Sequence, residues 1–240
     1  MNMKVKIYTD KAEVAHKFSE YFSYLVKQHE EFHVALSGGS TPKIIFDVLA
    51  SDYAEKIDWN TIHFYWGDER CVEPTDEQSN YAMTVHHLFS KLDIPKENIH
   101  RIMGENPPEE EALRYAQLLE NNLGVPKGVP YFDLVILGMG DDGHTASIFP
   151  HEIELWGQPT HCVVATHPSS GQKRVSINGA VINAAKEVIF LVTGASKAEK
   201  IDEIHGKKAN YELYPASLVN PKSGKLSWFL DEASAMKLLS

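Results

Sequence analysis

Asp142 and His144 stand two residues apart in the stretch Leu134 to Pro150, which reads L-V-I-L-G-M-G-D-D-G-H-T-A-S-I-F-P. At that spacing a carboxylate can orient an imidazole or raise its basicity, and histidine is the side chain that most often moves protons near neutral pH. The chemistry expected here is general-base catalysis. Leu134 to Leu137 read as a buried strand, and the glycines and aspartates that follow cannot continue it, so the strand ends in an acidic turn. His144 then lies just past the carboxyl end of a central strand, where open α/β sheets place their ligands. Of the 12 histidines, His86, His87 and His151 read as surface or packing residues.

A second loop, Ser37-Gly38-Gly39-Ser40-Thr41, lies between a strand and a helix, so its N–H groups and hydroxyls can cradle an anion at the helix N-terminus. The alternative is an ordinary glycine turn with Thr41 as helix cap and Pro42 in the first helical position. It is not a P-loop, because Lys43 does not follow a G-x-x-x-x-G-K-[ST] spacing. Arg70, Arg174 and Lys197 each fall near a strand end or helix start, and a phosphate site needs such cations. Gly138 to Gly143 satisfies G-x-G-x-x-G. Two aspartates beside a pyrophosphate would repel it, however, Pro150 truncates any helix, and no carboxylate lies about 20 residues on, where the ribose-binding acid belongs. NAD is therefore set aside. Asp68, Glu69, Asp142 and His144 have no recognised metal-ligand spacing. Neither Ser37 nor Ser147 sits in the G-x-S-x-G of a hydrolase nucleophile.

The elements that position these residues alternate between strand and helix. Strands are expected at Lys4 to Tyr8, Phe32 to Leu36, Ile62 to Trp66, Ile99 to Ile102, Leu134 to Leu137, Cys162 to Ala165, Val175 to Ile177, Val188 to Val192 and Leu226 to Leu230. Helical spacing recurs through Val14, Phe18, Tyr21, Phe22 and Leu25, with Thr9 or Asp10 as cap, and through Ile44, Ile45, Val48 and Leu49. Ser79 can cap a further helix. Pro107-Pro108 opens another, with Leu113, Leu118 and Leu119 on its packing side. Short helices follow at Val181 to Ala185 and from Ser196 through Ile204, and Asp231 can cap a closing one. This alternation predicts an α/β fold with a mostly parallel sheet and helices on both faces, in one domain over residues 1–240.

Composition bounds the function class. The chain has 240 residues, 43% of them hydrophobic and 23% charged, as in an ordinary globular protein. Lys plus Arg number 23 against 33 Asp plus Glu, a net charge of −10. Such a surface argues against nucleic acid or an anionic membrane as partner, so cations for an anionic substrate must be concentrated locally. No apolar run approaches the roughly 20 residues of a membrane span, Met1 to Asp10 lacks a signal-peptide core, and a cytoplasmic location is expected. Cys71 and Cys162 read as reduced structural thiols.

The segments Leu36-Ser-Gly-Gly-Ser-Thr-Pro42, Trp66-Gly-Asp-Glu-Arg70, Gln78-Ser-Asn-Tyr81, Leu137 to Pro150, Lys173-Arg-Val-Ser-Ile177 and Thr193-Gly-Ala-Ser-Lys197 occur in order over most of the chain. Together they resemble the 6-phosphogluconolactonases of the oxidative pentose phosphate pathway. The wider family includes glucosamine-6-phosphate deaminases, in which a glutamate precedes the proline after the Asp-Gly-His turn. Here Phe149 stands before Pro150, and an apolar ring cannot transfer protons, which favours lactone hydrolysis.

The resemblance implies a single Rossmann-like sheet of the sugar-phosphate isomerase and deaminase kind, no cofactor and no metal. It implies 6-phospho-D-glucono-1,5-lactone as substrate, in a monomer or small homo-oligomer. His144 with Asp142 would activate water. Ser37, Gly38, Gly39, Ser40, Thr41, Asp68, Arg70, Arg174 and Lys197 would hold the phosphate and sugar, with Lys200 as the alternative lysine. The competing readings are an amino-sugar-phosphate deaminase or isomerase and a non-catalytic sugar-phosphate sensor.

Overall fold

The computed structural model describes residues 3–208 and 210–239. From the N-terminus, β1 (Met3–Tyr8), α1 (Lys11–Val26), β2 (Phe32–Leu36), α2 (Ser40–Asp52) and β3 (Ile62–Trp66) alternate as expected. Next come β4 (Asp68–Arg70), α3 (Asn80–His87), α4 (Pro108–Asn122) and β5 (Leu134–Leu137). The C-terminal half holds β6 (Cys162–Thr166), β7 (Lys173–Ile177), α5 (Gly179–Ala184), β8 (Glu187–Val192), α6 (Ala198–His205), β9 (Leu226–Asp231) and α7 (Glu232–Ala235). Local chemistry sets the boundaries. Asp10 caps α1 by accepting from the N–H groups of Ala12 and Glu13, while Glu13 reaches back to the Thr9 N–H at 2.8 Å, a reciprocal box that satisfies the first turn. Ser79 caps α3 by accepting from the Ala82 N–H, and Asp231 caps α7 by accepting from the Ser234 N–H.

Six strands form one sheet in the order β1-β9-β8-β5-β2-β3, every neighbouring pair parallel. Successive side chains of a strand point to opposite faces, and every residue of β5, β8 and β9 is buried, so both faces of the sheet centre are covered. From β2 the chain goes outward to β3, then returns across β2 to β5. The order therefore reverses between β2 and β5, and the crevice beyond their carboxyl ends is where an open α/β sheet binds its ligand.

Two strands anticipated as part of an alternating series, β6 and β7, join β4 in a second, antiparallel sheet of order β4-β7-β6. Gly67 is the junction: its N–H bonds Leu36 O at 2.8 Å, and its carbonyl accepts from the Ile177 N–H at 2.9 Å. No strand was expected directly after Trp66, but hydrogen bonding to β7 makes Asp68–Arg70 a strand of its own.

Two further expectations are corrected. Ile99 to Ile102 does not form a strand; a single bridge joins Phe64 to Ile99, and the His100 N–H bonds Phe64 O at 2.8 Å. Leu113 lies on the solvent side of α4, 66% exposed, whereas Ala112, Tyr115 and Leu119 face inward. Tyr115 decides the rotation of that helix, because its hydroxyl accepts from the Trp66 N–H and donates to Trp66 O, both at 3.0 Å.

On α6, His205 packs edge-on against Trp228 of β9 at 4.9 Å, its Nε2 buried without a partner among the described residues. Burial lowers its pKa to about 4. Below about pH 6.5 the unfolded chain binds a proton that the folded chain refuses until about pH 4. Stability therefore falls as pH drops through that window, at a slope of at most roughly 1.4 kcal/mol per pH unit from this group. Thermal melts between pH 7 and pH 4 should show a shallower decline for His205→Phe than for the parent; parallel declines would exclude His205 as the source.

Among the described residues no helix is long and apolar enough to cross a membrane. Cys71 and Cys162 are free thiols, and burial pushes Cys71 up to about 11 and Cys162 higher still, which suits packing and disfavours thiolate chemistry.

Candidate active site

The loops leaving β2 and β5 meet β4 and β7 around a cavity of about 190 Å³ at the switch point. Ser37, Gly38 and Gly39 line it from β2, Gly138 to Gly140 and His144 from β5, Asp68 and Arg70 from β4, and Arg174 from β7. A larger cavity, about 490 Å³, opens between α3 and α4 away from this crevice. Its arginines are already neutralised, Arg101 by Glu105 and Arg114 by Glu111, so the smaller cavity is the better anion site.

Asp142 and His144 meet in the contact that their spacing allows. His144 Nδ1 lies 2.6 Å from Asp142 Oδ1, which also accepts the His144 backbone N–H at 3.0 Å. A carboxylate only accepts, so Nδ1 carries the proton and Nε2 is left as the basic nitrogen. Burial alone would raise the Asp142 pKa, but the bond from the His144 ring, its charge and the backbone N–H outweigh it and hold the carboxyl at about 2. Gly140 makes this arrangement possible. A Cβ there would stand 2.1 Å from His144 Nδ1 and 2.7 Å from Asp142 Oδ1. Phe149, fully buried, supports the other side of the imidazole, with ring centroids 4.6 Å apart. Ala146, also on the lining, holds φ at 48°, a strained conformation for a residue with a Cβ.

The cations divide into two groups. Arg70 and Arg174 are direct partners in the antiparallel β4–β7 ladder. Like charges placed opposite each other in a sheet repel, and Nε of each is buried without a partner. Arg70 donates to Gln78 O, and Arg174 reaches Gln172 Oε1 at only 3.4 Å. Burial, with Arg70 alongside, pulls the Arg174 guanidinium below its ordinary value against the opposing pull of Asp68. Two guanidinium groups held together with donors unspent make a site for an anion. Lys197 instead pairs with Asp141 at 2.5 Å and does not line the cavity, and Lys200 bonds Glu203 and the Tyr214 hydroxyl at 2.7 and 2.8 Å.

The glycine loop also differs from its sequence reading. Gly39, with φ at 110°, is the residue before α2, so the helix starts at Ser40 without a side-chain cap. The Thr41 hydroxyl pairs with that of Thr193 at 2.8 Å instead of capping, and neither Ser40 nor Thr41 reaches the lining. Ser37 does: it is 6% exposed, and its Oγ has no partner among the described residues.

Sequence reasoning missed Asn80, which lines the cavity from the start of α3. Its signal was its place in Gln78-Ser-Asn-Tyr81, directly after a helix cap. Glu69, weighed above as a metal ligand, is spent on structure: it accepts from the N–H groups of Arg70, Asn80 and Tyr81 and from Ser79 Oγ, all within 2.9 Å. Asp68 receives Ser147 Oγ at 2.5 Å on Oδ2, which gives that serine a positioning task and no nucleophilic one.

Residues 10–228 match the model of the glucosamine-6-phosphate isomerases/6-phosphogluconolactonase family. The chain belongs to this family. A 6-phosphogluconolactonase of Haemophilus influenzae is 46% identical over 224 residues, covering 93% of this chain and 94% of the relative. The crystal structure of a devB protein superposes with a TM-score of 0.94 at 44% identity, covering 98% of this chain and 99% of that one. The 6-phosphogluconolactonase of Trypanosoma brucei superposes with a TM-score of 0.87 at 27% identity over 99% of both chains. The fold expected from the family resemblance is thus the fold observed.

Proposed function

We propose that the protein hydrolyses 6-phospho-D-glucono-1,5-lactone to 6-phospho-D-gluconate, with His144 as general base. The observation that carries this reading is the meeting of two unlike halves in one crevice. A carboxylate-oriented imidazole stands on the β5 side, and two under-partnered guanidinium groups stand with Ser37 on the other. The similarity to 6-phosphogluconolactonases over more than nine-tenths of the chain supports the same substrate.

In this mechanism Arg70, Arg174 and Ser37 bind the phosphate, beside Gly38 and Gly39, where the glycine loop leads into α2. Ser40, Thr41 and Lys197 lie outside this contact set, and Lys197 joins it only by leaving Asp141. The fixed phosphate then presents the lactone carbonyl to water activated by His144 Nε2, and the remote binding energy serves orientation. Proton transfer to Nε2 creates an imidazolium that Asp142 stabilises through Nδ1–H. Breakdown of the tetrahedral intermediate returns that proton to the departing ring oxygen. The N–H groups of Gly140 and Gly143 bond His144 O and Gly140 O, at 2.9 and 3.0 Å, so this turn does not offer them to the oxyanion.

Phe149 bears on the competing deaminase reading. It packs against His144, His167 and Arg174 as an apolar wall at the position where ring opening of an amino sugar calls for a proton carrier. Purified protein given freshly generated lactone is expected to release acid well above the spontaneous rate and to release no ammonia from glucosamine 6-phosphate. Ammonia release would replace the lactonase reading with the deaminase one, and phosphosugar binding without either turnover would replace it with the sensor.

A further inference from the structure

Asn80 is fixed on three sides before any ligand arrives. Its backbone N–H bonds Glu69 Oε1 at 2.8 Å, its Nδ2 donates to Asp68 O at 2.9 Å, and its carbonyl accepts from Thr84 Oγ1 at 2.9 Å. With Nδ2 committed to a carbonyl, the other terminal atom must be Oδ1, an acceptor. That oxygen lies over Gly38: a Cβ built on Gly38 would be 1.8 Å from it, so the glycine is what makes room for the amide. Both residues line the cavity, Asn80 is 2% exposed, and no N–H or O–H among the described residues donates to Oδ1.

Oδ1 is not sealed off by the protein, so it stands as an unused acceptor on the cavity wall that a bound molecule can reach with a donor. The cationic part of the cavity, Arg70 and Arg174, suits the phosphate, whereas a neutral acceptor suits a hydroxyl. We propose that Asn80 determines specificity by accepting a hydrogen bond from a ring hydroxyl of the bound sugar lactone, an inference that rests on the lactonase reading above. Glu69 acts through it as a positioning residue, since its carboxylate ties Asn80 to the strand that carries Asp68 and Arg70. A site built to receive a hydroxyl discriminates against the analogue that lacks it, because the bound analogue covers the acceptor without supplying a donor.

The test compares kcat/KM of the parent protein and Asn80→Ala on 6-phosphogluconolactone and on its 2-, 3- and 4-deoxy analogues. The parent is expected to disfavour one analogue by about 10- to 100-fold, while Asn80→Ala treats that analogue and the full lactone within about threefold of each other. A ratio between substrates is insensitive to the amount of folded enzyme, and Asn80→Ser serves as a second variant should the alanine variant fold poorly. The assignment is overturned if the variant keeps the parent's discrimination or if the parent shows none. The same ratios measured by equilibrium binding of the corresponding 6-phosphate sugar acids test the Asn80 contact without turnover. Failure of the lactonase reading is thereby separated from failure of this one.

Discussion

Replacing His144 with alanine is expected to lower kcat on freshly generated 6-phosphogluconolactone by about 10²- to 10⁴-fold, with KM changed little. The expectation rests on the division of labour across the ring: Nδ1 is committed to Asp142 at 2.6 Å, which leaves Nε2 as the base. The loss should be visible after subtraction of the spontaneous hydrolysis of the lactone, which sets the floor of the assay. Phe149 loses a neighbour and Asp142 its partner in this variant, so stability is to be measured alongside. Turnover near that of the parent would remove His144 from the mechanism. Asp142→Asn supplies a finer test of the same pair. Held at about 2, the Asp142 carboxyl is charged throughout the neutral range, so the parent's activity between about pH 5 and 8 should not report its titration. The asparagine variant keeps the shape but allows the wrong ring tautomer, and its loss should fall on kcat as in other carboxylate-oriented histidines.

Arg174→Ala is the second large effect. It is expected to raise KM for the phosphorylated lactone by about 10- to 100-fold, the range for a charge-assisted hydrogen bond to a buried anion, while hydrolysis of unphosphorylated glucono-1,5-lactone changes little. The unliganded variant should be about as stable as the parent, because the lost charge stands directly across the ladder from Arg70 and its Nε is unpartnered. A structural arginine would behave in the opposite way, with a lower melting temperature and equal losses on both lactones. Equal losses on the two substrates would therefore move the phosphate away from the Arg70–Arg174 pair and toward Lys197. That lysine would have to exchange Asp141 for the ligand.

Much of this molecule is legible before folding because its signals are local. The apolar runs of β5 and β8 are continuous and those of β2, β3 and β9 are each broken by one polar residue, the caps Asp10, Ser79 and Asp231 sit directly before their helices, and the Asp142–His144 pair needs only a two-residue turn. Gly140 belongs with these, since it is local sequence that leaves room for the pair. Errors arose where rotation or register is set from a distance. Leu113 has the spacing of an inward residue, yet the Tyr115 hydroxyl on the Trp66 backbone turns α4 so that Leu113 faces solvent. Ile99 to Ile102 has the composition of a strand, but a single bridge to β3 is all that forms.

The sequence by itself determined the parallel α/β architecture, the histidine–carboxylate pair and the glycine loop, all of which depend on residues a few positions apart. Tertiary structure alone decided which cations line the crevice. Arg70 and Arg174 are about a hundred positions apart and become partners only because Gly67 diverts the chain from the main sheet into an antiparallel ladder with β7. Lys197, with equal standing in the sequence, is taken by Asp141, and Asn80 reaches the cavity because Glu69 draws the start of α3 against β4. Hydrogen-bond pairing between distant strands has no local signature, so the cationic half of the crevice becomes visible only once the chain has folded.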